Sequence, residues 1–117
     1  LEFRRVLFRS CADLENAPWP YAGKRFSGIV VVNYLYRPLF PLLIAALAEG
    51  GVLIYETFAV GNERYGRPSN PAFLLRSGEL LEAVRDQLEV IAYEALDVPD
   101  PKPAVLQRIC AVNRRAT

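Results

Sequence analysis

Three consecutive stretches decide the fold: Gly28-Ile29-Val30-Val31-Val32-Asn33-Tyr34-Leu35, then Pro38 to Ala48 (PLFPLLIAALA), then Gly50-Gly51-Val52-Leu53-Ile54-Tyr55. The first is a short, continuous, β-branched apolar run between Ser27 and Arg37-Pro38, the pattern of a strand buried on both faces of a parallel sheet. The second opens with proline and carries Leu39, Leu42, Leu43, Ala46 and Leu47 at helical spacing, which predicts a helix that Gly50-Gly51 ends. The third is a second apolar strand beginning at Val52. A strand, helix and strand in this order form a right-handed unit with a parallel strand pair.

Working outward, residues 59–76 form a long polar stretch punctuated by Gly61, Gly66, Pro68 and Pro71. A loop of that length in a small domain carries function more often than it merely connects. Ser77 reads as an N-cap with Glu79 in the first turn of a helix that runs through Leu80, Leu81 and Val84 to about Arg85. Leu88 to Leu96 and Ala104 to Val112 are strand-like, and the intervening DVPDPKP (Asp97 to Pro103) is too short and proline-rich for a crossover helix. These two strands are therefore expected to pair antiparallel. The predicted order is β-α-β-loop-α-β-β, an α/β fold closed by a hairpin.

The chain has 117 residues, of which 52% are hydrophobic and 23% charged, with fourteen basic residues against thirteen acidic ones. A near-neutral balance argues against a nucleic-acid surface built on bulk charge. The absence of histidine excludes a His-ligated metal, a Ser-His-Asp triad and a Cys-His dyad, and two cysteines, Cys11 and Cys110, make neither a zinc site nor a disulfide framework. Cys110, between Ile109 and Ala111, reads as a buried structural thiol. No apolar run reaches the roughly 18 residues of a membrane span.

With no methionine in the sequence, the chain is expected to be a fragment. Leu1 to Ser10 (LEFRRVLFRS) holds three arginines and one glutamate, and Leu7-Phe8-Arg9-Ser10 is what the adapter-like codons CTC TTC CGA TCT encode. Residues 1–10 are thus expected to be a non-native prefix, with a domain over residues 11–113 and a tail over 114–117. Without the prefix, eleven bases face twelve acids and the net charge is −1.

The ordered set Asp13-Leu14-Glu15, Pro18-Trp19-Pro20, Phe26 to Leu35 and Gly50 to Phe58 resembles the C-terminal half of class I S-adenosylmethionine-dependent methyltransferases. The segment Phe58 to Pro71 (FAVGNERYGRPSNP) is similar to bacterial members related to tellurite-resistance methyltransferases. The resemblance covers Cys11 to Asn113 and implies a partial Rossmann-like methyltransferase fold. It implies that Asp13 and Leu14 contact the cofactor adenine, and that Asn33, at a strand end with Tyr34 and Leu35 behind it, faces the cofactor at the mouth of the cleft. The Gly-rich loop after the first family strand and the acidic residue after the second do not occur in this sequence, so one wall of the cleft is represented.

A sulfonium methyl group is already activated, so its transfer asks for an aligned nucleophile more than for a metal or an acid-base pair. Glu56 and Thr57, following the second strand, are expected to point into the crevice, with Glu56 a candidate for substrate or proton handling. Asn62, Arg64 and Tyr65 are candidates to line an acceptor pocket, Tyr65 also for catalysis, and Arg37 either orients an anionic group or starts the helix. The expected protein is cytoplasmic, uses S-adenosylmethionine on a small-molecule acceptor without nucleic acid, membrane or metal, and is inactive as this fragment alone. Two rivals remain: a non-catalytic α/β partner or regulatory module, and a nicotinamide-binding Rossmann protein, which the closing hairpin disfavours.

Overall fold

A computed structural model describes residues 18–114. The arginine-rich prefix, Cys11, Asp13 and Leu14, and residues 115–117 lie outside the described residues. In chain order the elements are β1 (Phe26–Val32), α1 (Leu39–Ala45), β2 (Leu47–Phe58), α2 (Glu79–Val84), β3 (Glu89–Val98) and β4 (Ala104–Val112), with single 3-10 turns at Asn62–Arg64 and Pro71–Phe73.

The four strands form one mixed sheet in the order β1-β2-β4-β3. β1 runs parallel to β2 with Val30 opposite Ile54, whereas β4 runs antiparallel to β2 with Ile109 opposite Tyr55. β3 and β4 make the expected hairpin, Tyr93 facing Ile109. The α/β architecture read from the sequence is therefore present, including its parallel unit and closing hairpin.

Element ends differ from the expectation, each for a local reason. α1 stops at Ala45, because Ala46 already hands its carbonyl to the Phe26 N–H at 2.7 Å. Gly50-Gly51 therefore end no helix. They lie in an excursion of β2, where Leu47 pairs with Phe26 and the regular ladder resumes at Val52. Gly50 takes the left-handed φ of 77°. A Cβ on Gly51 would meet the backbone oxygens of Ala48 and Phe26 at 2.8 Å, so only glycine fits there. Asn113, buried, fastens the same excursion by donating its side-chain amide to the carbonyls of Leu47 and Ala48. Ser77 is no cap: α2 begins after Gly78, which is left-handed and makes no side-chain cap bond. Instead the Glu79 carboxylate accepts the Arg76 N–H at 2.8 Å.

Both helices lie on one face of the sheet. Leu39, Phe40, Leu43 and Ile44 of α1 and Leu80 and Val84 of α2 pack with Ile29, Leu53, Tyr55, Ile109 and Ala111. Each such side chain contributes about 2 kcal/mol through removal from water. Leu42, expected on the apolar stripe, points outward.

The opposite face is open among the described residues. β1 is consequently not buried on both sides: only Ile29 is fully covered, and Val32 is 52% exposed. Cys110 also lies half-buried on this open face, opposite Ile54 and Ala92, rather than in the core with Ile109. The strand period of two explains the change, since neighbours in sequence go to opposite faces.

Candidate functional site

The carboxyl ends of β1 and β2 meet at Asn33. This residue has φ 57°, the left-handed region that asparagine tolerates better than most side chains, and its N–H donates to the Glu56 carbonyl at 2.9 Å. The chain thus leaves β1 at a sharp, hydrogen-bonded corner with the Asn33 side chain exposed. Behind it, the buried Tyr55 phenol donates to the Tyr34 carbonyl at 2.6 Å. Burial raises the Tyr55 pKa far above its ordinary value, so the group remains a donor and anchors the corner to the core.

A cavity of about 280 Å³ opens at this corner. β1's end supplies Asn33, Tyr34 and Leu35, β2's end supplies Thr57 and Phe58, and the long loop supplies Pro68 and Phe73. None of these side chains is charged. Thr57 is 2% exposed and its hydroxyl has no hydrogen-bond partner among the described residues.

The loop that closes the cavity is held by two polar anchors, the half-buried Arg37 and the buried Asn62. Arg37 is engaged with Glu79, donating to its two carboxylate oxygens at 2.6 and 3.0 Å. The same guanidinium donates to the carbonyls of Ala72 and Leu74, on either side of Phe73, at 3.2 and 3.0 Å. The hydrogen bond to Glu79 raises the Arg37 pKa. Burial pushes the Glu79 carboxyl upward, yet the bonds from Arg37 and from the Arg76 N–H outweigh it and hold the carboxyl below its ordinary value. The second anchor is Asn62, 2% exposed, which donates to the Pro68 carbonyl and accepts from the Val105 N–H, both at 3.0 Å. Both ends of its amide are spent on backbone, and it shapes the pocket wall from behind.

Arg64 and Tyr65 lie elsewhere. The Tyr65 hydroxyl donates to Asp97 Oδ1 at 2.6 Å and Arg64 Nη2 donates to Asp97 Oδ2 at 3.0 Å, on the exposed outer side of the loop. The Asp97 bond raises the Tyr65 pKa, and the Tyr65 bond in turn lowers that of Asp97. Neither Arg64 nor Tyr65 lines the cavity at Asn33. Glu56 and Thr57, expected to point the same way, point to opposite faces because β2 continues to Phe58. Glu56 goes to the open face, where Arg108 lies between it and Glu94 at 3.4 and 2.6 Å.

The sequence reading thus placed Asn33, Tyr34, Leu35 and Thr57 together at one corner. It missed Phe58, Pro68 and Phe73 as lining and Tyr55 as an anchor. An aromatic residue amid the polar loop was the one available signal for Phe73. Among the described residues no group of three His, Cys, Asp or Glu residues is placed to hold a metal ion, and no helix is long and apolar enough to cross a membrane.

No family model and no curated protein matches the sequence. Solved structures do match in fold. The N-methyltransferase NodS from Bradyrhizobium japonicum WM9, in complex with S-adenosyl-L-homocysteine, superposes with a TM-score of 0.60 at 16% identity, over 80% of this chain and 49% of that one. The same enzyme in a second structure gives 0.59 at 15% identity, over 80% of this chain and 54% of that one. The [4+2]-cyclase SpnF gives 0.61 at 14% identity, over 92% of this chain and 56% of that one. The chain therefore spans about half the length of the structures it matches. The strand order, the hairpin and these superpositions together establish that the chain has a partial class I methyltransferase-like α/β fold.

Proposed function

We propose that the protein to which this chain belongs is a cytoplasmic enzyme that transfers a methyl group from S-adenosylmethionine to a small-molecule acceptor. This chain forms the acceptor-side half of the domain and is inactive alone. The observation that carries the reading is the corner at Asn33. In doubly wound sheets ligands lie outside the carboxyl ends of the strands, and here that place holds an exposed, left-handed asparagine beside a formed cavity. The likeness to a structure with bound S-adenosyl-L-homocysteine supports the same assignment.

The residues present fit one wall of a cofactor crevice. Asn33, Tyr34 and Leu35 would hold the cofactor from the β1 side, and Asp13 and Leu14 are proposed for its adenine. The cofactor, when bound, supplies an electrophilic sulfonium methyl group. The chain's part is to orient the acceptor and exclude water, since near-attack alignment is the main requirement of such a transfer. Glu56, paired with Arg108 on the open face, and Tyr65, paired with Asp97 outside the cavity, have no part in this crevice.

Photolabelling with methyl-tritiated S-adenosylmethionine tests the reading on the protein translated from the complete reading frame. The label is expected in the peptide carrying Asn33 to Tyr36 and is expected to vanish with excess S-adenosyl-L-homocysteine. Absence of competable label would favour the non-catalytic partner module, which would present the same open sheet face.

A further inference from the structure

The lining of the Asn33 cavity restricts what it can accept. Its seven side chains include no charge, while aromatic or apolar surface comes from Tyr34, Leu35, Phe58, Pro68 and Phe73. An anionic group entering such a site would lose water without gaining a counter-charge, so the site selects against it, whereas aromatic faces tolerate a cation.

Two features go beyond a merely apolar dent. First, Phe73 is 54% exposed, yet its seat is rigid. The carbonyls before and after it are both held by Arg37, and the Asn70 side chain accepts the Ala72 N–H at 2.9 Å to fix the start of the turn. An exposed ring on a pre-ordered backbone is how binding sites present aromatic anchors, because little freedom remains to be lost on contact. Second, the Thr57 hydroxyl is buried with the residue and has no partner among the described residues, while Thr57 lines the cavity. It adds a hydroxyl to the Asn33 carboxamide and the Tyr34 phenol as the polar, uncharged groups of the lining.

We infer that this cavity binds a non-anionic, ring-containing acceptor carrying a polar group, with Phe73 contacting the ring and Thr57 hydrogen-bonding the polar group. The inference rests on the methyl-transfer reading for the word acceptor, but the binding preference is a property of these residues alone. Arg37 and Asn62 act as positioning residues that set the Phe73 and Pro68 walls.

Saturation-transfer difference NMR on the 117-residue chain, with phenol, fluorobenzene and benzoate as probes, tests it. Phenol and fluorobenzene are expected to bind saturably, and benzoate at least about tenfold more weakly. Phe73→Ala is expected to weaken both neutral probes about threefold to tenfold, the loss of one aromatic contact. Thr57→Val is expected to weaken phenol by about the same factor while leaving fluorobenzene unchanged. Phe73→Leu, which keeps apolar bulk without a ring face, repeats the Phe73 test in a second background. Benzoate binding as tightly as phenol, wild-type affinity in the variants, or no binding of any probe would overturn the inference. Calorimetry with S-adenosyl-L-homocysteine and with phenol on the protein translated from the complete reading frame separates the two readings. Cofactor binding without phenol binding removes the acceptor pocket alone, and phenol binding without cofactor binding removes methyl transfer alone.

Discussion

Replacing Arg37 by alanine should destabilise the domain by about 3 kcal/mol. The substitution removes hydrogen bonds to both Glu79 oxygens and to the carbonyls of Ala72 and Leu74. It leaves the Glu79 carboxylate, 9% exposed, with the Arg76 N–H at 2.8 Å and the Arg76 guanidinium at 3.4 Å. Breaking a fully buried ion pair by removing one partner costs about 3–5 kcal/mol. The Arg37 side chain is 32% exposed, so solvent recovers part of that loss. The two freed carbonyls add a smaller penalty, which brings the total to about 3 kcal/mol. Urea unfolding followed by far-UV circular dichroism measures it, and a double-mutant cycle with Glu79→Ala should return a coupling of about 2 kcal/mol. A loss below about 1 kcal/mol, or additive single variants, would show that the clamp does not hold the loop.

The same pair sets a pH dependence. Because the folded carboxyl of Glu79 lies below its ordinary value of 4.5, its contribution is whole above that value and is lost as pH falls through the lower folded value. Glu79→Gln should flatten this acid limb of a stability-pH curve, and an unchanged limb would count against the assignment. Gly51→Ala should cost at least about 2 kcal/mol in the same unfolding assay, because its Cβ would be forced against two backbone oxygens at 2.8 Å. Finally, β1 is a sheet edge among the described residues, with Val32 52% and Ile54 43% exposed on the open face. The isolated chain should self-associate in sedimentation velocity, and Val32→Lys with Ile54→Lys should reduce it. A chain that stays monomeric as its concentration rises would contradict the open-face description.

The parts of the fold visible in the sequence were those specified locally. The observed bounds of β4, Ala104–Val112, coincide with the apolar run that predicted it, and the parallel β1–β2 unit followed from two apolar runs around a proline-led helix. Gly50-Gly51 look like a helix stop, whereas Gly50 serves a left-handed φ of 77° and Gly51 the approach of the Ala48 and Phe26 carbonyls, so the end of α1 lies earlier than they suggest. Burial of β1 on both faces was misread because an apolar run does not say whether anything covers it. At the site, Asn33 stood out as a polar residue directly after the run. Arg37 and Glu79 meet across a separation of 42 residues, and Asn62 reaches Val105 across 43, so no local pattern reveals them. The opposite orientation of Glu56 and Thr57 depended on where β2 ends, which local pattern reads least well.

The most direct test of the central claim is calorimetric titration of S-adenosyl-L-homocysteine into the protein translated from the complete reading frame, beside its Asn33→Ala variant. The account predicts saturable one-to-one binding that weakens by at least about tenfold in the variant, as expected for loss of a hydrogen bond made inside a closed cleft. No binding to the complete protein, or equal binding by the variant, would contradict a cofactor crevice at the end of β1.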